Sequence, residues 1–229
     1  MKNSEQEKCF IPQRLTAVLI DLSFFLKRYK TLYPVNDPKD MAKRIKDYAF
    51  KLVKQGNDLI YRVYIYDCKP SKNTFHYPIS KQQYNLGTTE QFVFRDELLK
   101  ELKNQPYFAL RLGNIDDRTC KWKFKSYKTI KDLLQGKISI DDLKDEDFIL
   151  DMRQKGVDMR IGLDMAHLAN KKQAEKIILV TADSDFIPAV KYVRKEGVIV
   201  QLDAMHHNFV NKDLLEHIDL LNSVFSKDK

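Results

Sequence analysis

The sequence predicts an α/β domain, a central and mainly parallel sheet flanked by helices, with an α+β insertion in its middle. Short apolar runs at residues 16–21, 59–67 and 176–181 each end in an aspartate or meet one within two residues. Helical periodicity separates the runs, and strands alternating with helices form βαβ units whose right-handed crossovers bring the strands' carboxyl ends to one edge. The rhythm breaks between about residues 68 and 154 and then resumes. Residues 1–229 therefore read as a single domain carrying an insertion at about 68–154.

The elements follow in order. TAVLID (16–21) is a first strand ending in an acid. Asp37-Pro38 opens a helix to about Gln55, because proline is tolerated in a first turn and Met41, Ile45, Ala49 and Leu52 recur on one face. Gly56-Asn57 stops it. LIYRVYIYD (59–67), rich in β-branched and aromatic residues, is a second strand. In the insertion, Pro70, Asn73, Pro78 and Asn85 mark a long loop. Residues 89–104 then read as a helix with Phe92, Leu98, Leu99 and Leu102 on one side. Segments 107–112 and 121–127 read as two strands of an antiparallel ribbon, joined by the turn-rich 113–117. Short helical stretches at 127–134 and 140–143 close the insertion, which has no core of its own and is expected to lean on the sheet. A helix at 157–170, a strand at 176–181, a helix at 185–195 and a strand at 198–203 complete the domain. The 226–229 tail is expected to fray.

Composition narrows the function. Lys and Arg outnumber Asp and Glu by 40 to 32, a formal charge of +8 that favours a polyanionic partner over an acidic substrate. Cys9, Cys68 and Cys120 are far apart and form no CxxC pair, so neither a disulfide framework nor a zinc site is indicated. No apolar run approaches the roughly 18 residues of a membrane helix, and the first residues carry no signal-like core. The expectation is a cytoplasmic protein with no membrane partner; homo-oligomerisation is compatible with the sequence.

The acids are the candidate chemistry. Asp21, Asp67 and Asp183 end predicted parallel strands, so they can converge although distant in sequence. Lys155-Gly156-Val157-Asp158 places Asp158 where a helix N-cap is expected, and Asp164 lies two turns along. On one straight helix those two are about 240° and about 9 Å apart, so only one joins a tight cluster, and Asp158 is the choice. Asp185 can also cap the helix that follows it, Asp21 can cap a short helix at 23–30, and Asp67 can be a turn residue. Clustered carboxylates repel in a partly dehydrated cleft, and Mg²⁺ or Mn²⁺ is the usual remedy. Such an ion orients a phosphodiester and activates water, so acids beside a basic surface point to nuclease chemistry.

These residues resemble the NYN family, a branch of the PIN-like nucleases. The matching elements are Val18-Leu19-Ile20-Asp21, Tyr66-Asp67, Arg153-Gln154-Lys155-Gly156-Val157-Asp158 with Leu163-Asp164, and Val180-Thr181-Ala182-Asp183-Ser184-Asp185-Phe186. They arrive in the family's order across nearly the whole chain, and the middle insertion is similar to that of a bacterial subgroup. The resemblance implies a Rossmann-like PIN sheet, a Mg²⁺ or Mn²⁺ site and endoribonuclease activity. It assigns Asp21, Asp158, Asp183 and Asp185 to the catalytic and metal-binding positions, with Asp164 and Asp67 as further candidates, and Thr181 to a substrate-side position that usually holds Ser or Thr. Many members have Gly and then Asn after the first acid; here Leu22, Ser23 and Phe24 stand, which removes a polar group and leaves Ser23 as a partial substitute.

Lys121, Lys123 and Lys125 alternate with Trp122, Phe124 and Ser126, so a strand would show three lysines on one face. With Arg111 nearby, that face could track a phosphate backbone and an exposed Trp122 could stack on a base. The alternative is an edge strand whose lysines deter aggregation while its aromatics pack inward. His167 reads as a packed residue of its helix. Asp203 with His206-His207 follows the last strand.

Two functions remain open: a metal-dependent endoribonuclease acting on RNA, with DNA not excluded, or a catalytically weak or inactive nucleic-acid-binding module of the same architecture. No GxGxxG follows the first strand and no GxxxxGK[ST] is present, so dinucleotide and P-loop enzymes lack their phosphate cradles. Ser23 stands where an aspartyl phosphatase would need a second acid.

Overall fold

The computed structural model describes residues 13–33, 37–152 and 154–224, so Cys9, Arg153 and the 226–229 tail lie outside the described residues. The sheet starts with β1 (Leu15–Asp21), and its inner residues send alternate side chains to opposite faces. Val18 and Ile20 join one apolar core, Ala17 and Leu19 the other, and Leu179 and Val180 divide likewise. A strand buried on both faces is the physical meaning of an unbroken apolar run.

Helices α1 (Leu22–Leu32) and α2 (Pro38–Gln55) cover the first face. Asp37 caps α2 by accepting from the backbone N–H of Asp40 at 2.8 Å, with Pro38 in its first turn. Strand β2 (Leu59–Cys68) pairs parallel with β1. The expected long loop then contains a small hairpin, β3 (Thr74–His76) with β4 (Gln83–Asn85). Helix α3 (Glu90–Lys103) returns to the first face.

The predicted antiparallel ribbon of 107–112 with 121–127 does not form. Strand β5 (Phe108–Ile115) instead lies parallel to β2 in the main sheet. Its side chains explain the placement: Phe108, Leu110 and Leu112 pack on the first core while Ala109 and Ile115 pack on the second, a division that requires a sheet interior. Strand β6 (Lys121–Phe124) pairs antiparallel with β7 (Phe148–Asp151), which sequence patterning did not reveal. Between them runs α4 (Tyr127–Leu134). The short β8 (Gln154–Lys155) then pairs antiparallel with the end of β5 and returns the chain to the sheet.

Helix α5 (Val157–Asn170), β9 (Lys176–Val180), α6 (Ile187–Lys195) and β10 (Ile199–Asp203) follow the expected order, with α5 and α6 on the second face. A five-residue α7 (Lys212–Glu216) and a two-residue β11 (Leu220–Leu221) end the described fold. The sheet order is β11-β10-β9-β1-β2-β5-β8, parallel except for β8. It is a three-layer α/β/α domain. Among the described residues no helix is long and apolar enough to cross a membrane.

Two glycines set the path into α5. A Cβ on Gly113 would lie 2.5 Å from the Lys155 carbonyl oxygen, so only glycine lets β8 close on β5. Gly156, at φ +79°, is the N-cap of α5, a left-handed conformation that a side chain would strain. Asp158 is therefore in the helix's first turn and not its cap, a correction to the sequence expectation.

Candidate active site

The carboxyl ends of β1, β2 and β9 deliver Asp21, Asp67 and the Thr181–Asp185 turn to one edge, and the start of α5 adds Asp158. Asp21 ends β1 and caps α1, its Oδ1 accepting from the Phe24 N–H at 3.0 Å. It is half-buried. Burial pushes its pKa up to about 6; the Phe24 N–H opposes this, and the charges of Asp158 and Asp67 add to it. Asp158 is also raised, first by partial burial and then by Asp183 and Asp185. Asp158 thus links Asp21 to the exposed pair on the β9 turn.

That turn inverts the expected division of labour. Thr181 is fully buried, and its Oγ1 accepts from the Asp183 N–H at 3.2 Å. Asp183 then caps the short 3₁₀ turn Ser184–Phe186 by accepting from the Asp185 N–H at 2.9 Å, which occupies one of its two carboxyl oxygens. Asp185, for which capping the next helix was the alternative role, is exposed within the turn, and the N-cap position of α6 is Phe186.

The other acids are committed elsewhere. Asp164 accepts from the Tyr66 hydroxyl and from Arg111 Nε, each at 2.9 Å, on a different side of α5 from Asp158. Arg111 also stacks over Tyr64 at 5.2 Å, so it belongs to this cluster and not to a basic ribbon. Asp67 is buried, its pKa raised by burial and restrained by Arg95, whose Nη1 is 3.1 Å from Asp67 Oδ2. Ser23 links the two: its hydroxyl donates to Asp67 Oδ1 at 3.4 Å, while Arg95 Nη2 and Gln154 Nε2 donate to it at 3.3 and 3.4 Å. Sequence reasoning missed Arg95, yet a signal existed. It lies between Phe92 and Leu99 on the apolar stripe of α3, and a cation there needs a buried partner.

Lys121, Lys123 and Lys125 are exposed on one face of the β6 ribbon, with Lys123 paired to Asp151. Trp122 does not offer a stacking platform to solvent; its ring packs 5.2 Å from Tyr77 and 5.7 Å from Tyr84. His167 is exposed rather than packed. Asp203 is buried, accepting from the Tyr48 hydroxyl at 2.6 Å and the Met205 N–H at 2.7 Å.

The carboxylates Asp21, Asp158, Asp183 and Asp185 offer oxygen-only donors, and the upward pull on Asp21 and Asp158 is what a cation would relieve. Among the described residues no group of three or more His, Cys, Asp or Glu is arranged to hold a metal ion.

Fold and edge together define an α/β protein with a carboxylate-lined sheet edge. The chain belongs to the NYN domain family, whose model matches residues 15–219. It is thereby a member of the PIN-like nucleases, which act on nucleic acids and generally use divalent metal ions. No curated protein matches it. Among solved structures it is similar to a crystal structure of a protein of unknown function from Vibrio parahaemolyticus, with 14% identity, TM-score 0.47, and 93% of this chain and 94% of that chain covered.

Proposed function

We propose that this chain is a Mg²⁺- or Mn²⁺-dependent endoribonuclease that hydrolyses RNA phosphodiester bonds at the Asp21–Asp158–Asp183–Asp185 edge. The observation that carries this is the convergence of Asp21, the Asp183–Asp185 turn and the first turn of α5 on the sheet's carboxyl edge, where burial and neighbouring acids also hold the Asp21 carboxyl above its usual range. A nuclease keeps such an unfavourable group because a cation shared with the substrate compensates it. When bound, the ion neutralises phosphate charge and lowers the pKa of a water. One or two carboxylates suffice for Mg²⁺, which retains waters and substrate phosphate oxygens as its remaining ligands.

Asp158, with either Asp21 or Asp183 as its second carboxylate, would hold the ion. The cap bond from Phe24 fixes the orientation of the Asp21 carboxyl, and the bond from Asp185 fixes that of Asp183, leaving its other oxygen for the ion. Exposed Asp185 orients the attacking water. The lysines of β6 attract the strand, and Ser23 takes part of the role that Asn plays in other members.

The test is cleavage of single-stranded RNA with and without Mn²⁺, Mg²⁺ and chelator. Asp158→Asn and Asp183→Asn are each expected to lower the rate by about a hundredfold or more, with the circular dichroism spectrum retained. Cleavage that survives chelation or Asp183→Asn removes the proposal. The second reading, a binding module without catalysis, draws on Phe24, whose ring packs edge-on to His207 at 6.1 Å where other members carry Asn. Salt-sensitive RNA binding without cutting under any metal would select it.

A further inference from the structure

Beside the acidic edge lies a cavity of about 370 Å³ between α3, the β5–β8 end of the sheet and the segment leading into the β3–β4 hairpin. Its volume falls in the range of small-ligand sites and has room for one nucleoside, but not for a duplex or a folded peptide. Tyr84 and Phe92 supply aromatic walls and Ile149 an aliphatic one, and Gln91, Arg95 and Gln154 supply polar ends. An amide both donates and accepts, as does the edge of a base, and aromatic walls accept its face.

The cavity and the active edge share residues. Arg95 and Gln154 line it and also donate to Ser23 Oγ, while Ser23 sits in the first turn of the helix that Asp21 caps. Arg95 Nη1 and Asp67 Oδ2 form a buried ion pair 3.1 Å apart, and both residues line the cavity, so a fixed guanidinium and carboxylate border whatever occupies it. At the rim, Lys72 Nζ is 5.7 Å from the Phe92 ring centroid and can meet a phosphate attached to a base in the cavity. The +8 charge of the chain favours an anionic nucleotide over a neutral metabolite.

We propose that this cavity binds one unstacked nucleobase of the RNA strand beside the bond being cut, which makes cleavage base-selective. The inference rests on the nuclease reading for its consequence, but not for the binding itself.

Trp122 provides the probe. It is the only tryptophan and packs against Tyr84, a wall of the cavity. The full chain, in chelator so that nothing is cut, is titrated with each of the four nucleoside 5′-monophosphates and with ribose 5-phosphate. A saturable change in Trp122 fluorescence is expected with at least one nucleotide and not with ribose 5-phosphate. Phe92→Ala is expected to weaken that binding about tenfold, as loss of one stacking wall does. Ile149→Glu, at a half-exposed position that tolerates polarity, is expected to weaken it too by setting a carboxylate against the nucleotide's phosphate. The same response with ribose 5-phosphate, or unchanged affinity in both variants, overturns the proposal. In a second arm, RNA strands carry a single abasic residue at successive positions. Cutting is expected to fall at the bond beside the abasic residue. Cutting with no such dependence sinks the base pocket alone; base-dependent fluorescence with no cutting of any RNA sinks the nuclease reading alone.

Discussion

Asp21 combines two demands that conflict: its carboxylate caps α1, yet burial and two neighbouring acids oppose its charge. Its folded value of about 6 lies above the ordinary 3.8, so between those pH values the folded chain binds more protons than the unfolded one. Stability therefore falls as pH rises through that window, by about 3 kcal/mol in all. Asp21→Asn keeps an acceptor for the Phe24 N–H and cannot ionise. It is expected to exceed the parent in urea stability at pH 7.5 in chelator and to match it near pH 4; an equal difference at both pH values contradicts the account. Arg95→Ala tests the other buried acid. It leaves the Asp67 carboxylate without its counter-charge and is expected to cost about 3–5 kcal/mol, most of it recovered in the double variant with Asp67→Asn. At this scale the sequence was legible where an apolar run ended in an acid, as at Asp21 and Asp183. It was not legible where a cap depends on backbone angles: the cap expected at Asp158 is Gly156, and α6, which Asp185 was a candidate to cap, starts from Phe186 while Asp183 caps the turn before it.

The elements were readable where one period dominated. The strands β1, β2, β9 and β10 and the helices α2, α3, α5 and α6 match their expected spans within a few residues. The insertion was harder because β5 and β6 are both short and alternating, and only their partners distinguish a sheet interior from a surface ribbon. The partner of β6 is β7, twenty-odd residues away and itself without a strong pattern. The lysine face of β6 nevertheless forms as the alternation implies, with Trp122 and Phe124 turned inward. Replacing Lys121, Lys123 and Lys125 by alanine is expected to weaken binding of single-stranded RNA and to lower the slope of log affinity against log salt by about 2, at roughly 0.7 per lost phosphate contact. Lys123 already neutralises Asp151, so its share should be the smallest. An unchanged salt slope rules out this face as part of the RNA path.

Across the whole molecule the sheet's two edges carry different burdens. The carboxyl edge holds the acids whose charge is disfavoured, whereas the amino edge is sealed by a buried ion pair, Lys176 Nζ to Asp58 Oδ2 at 2.8 Å, the two side chains 4% and 1% exposed. Asp58→Ala leaves Lys176 buried and unpaired and is expected to cost about 3–5 kcal/mol while RNA cleavage per folded molecule stays unchanged. Loss of specific activity in proportion to lost stability would show that the edges are not independent. The pairing of β5 with β8 has a consequence of its own. Asn114 faces Lys155 and Ile115 faces Gln154, so the chain leaves the sheet and rejoins it within one strand spacing, about 4.8 Å. Everything between is a closed excursion whose entropic cost grows only with the logarithm of its length. Gly113, by lacking a side chain, holds the mouth of that excursion shut. The domain can thus lengthen, shorten or exchange that excursion while the start of α5 keeps its place beside the end of β1.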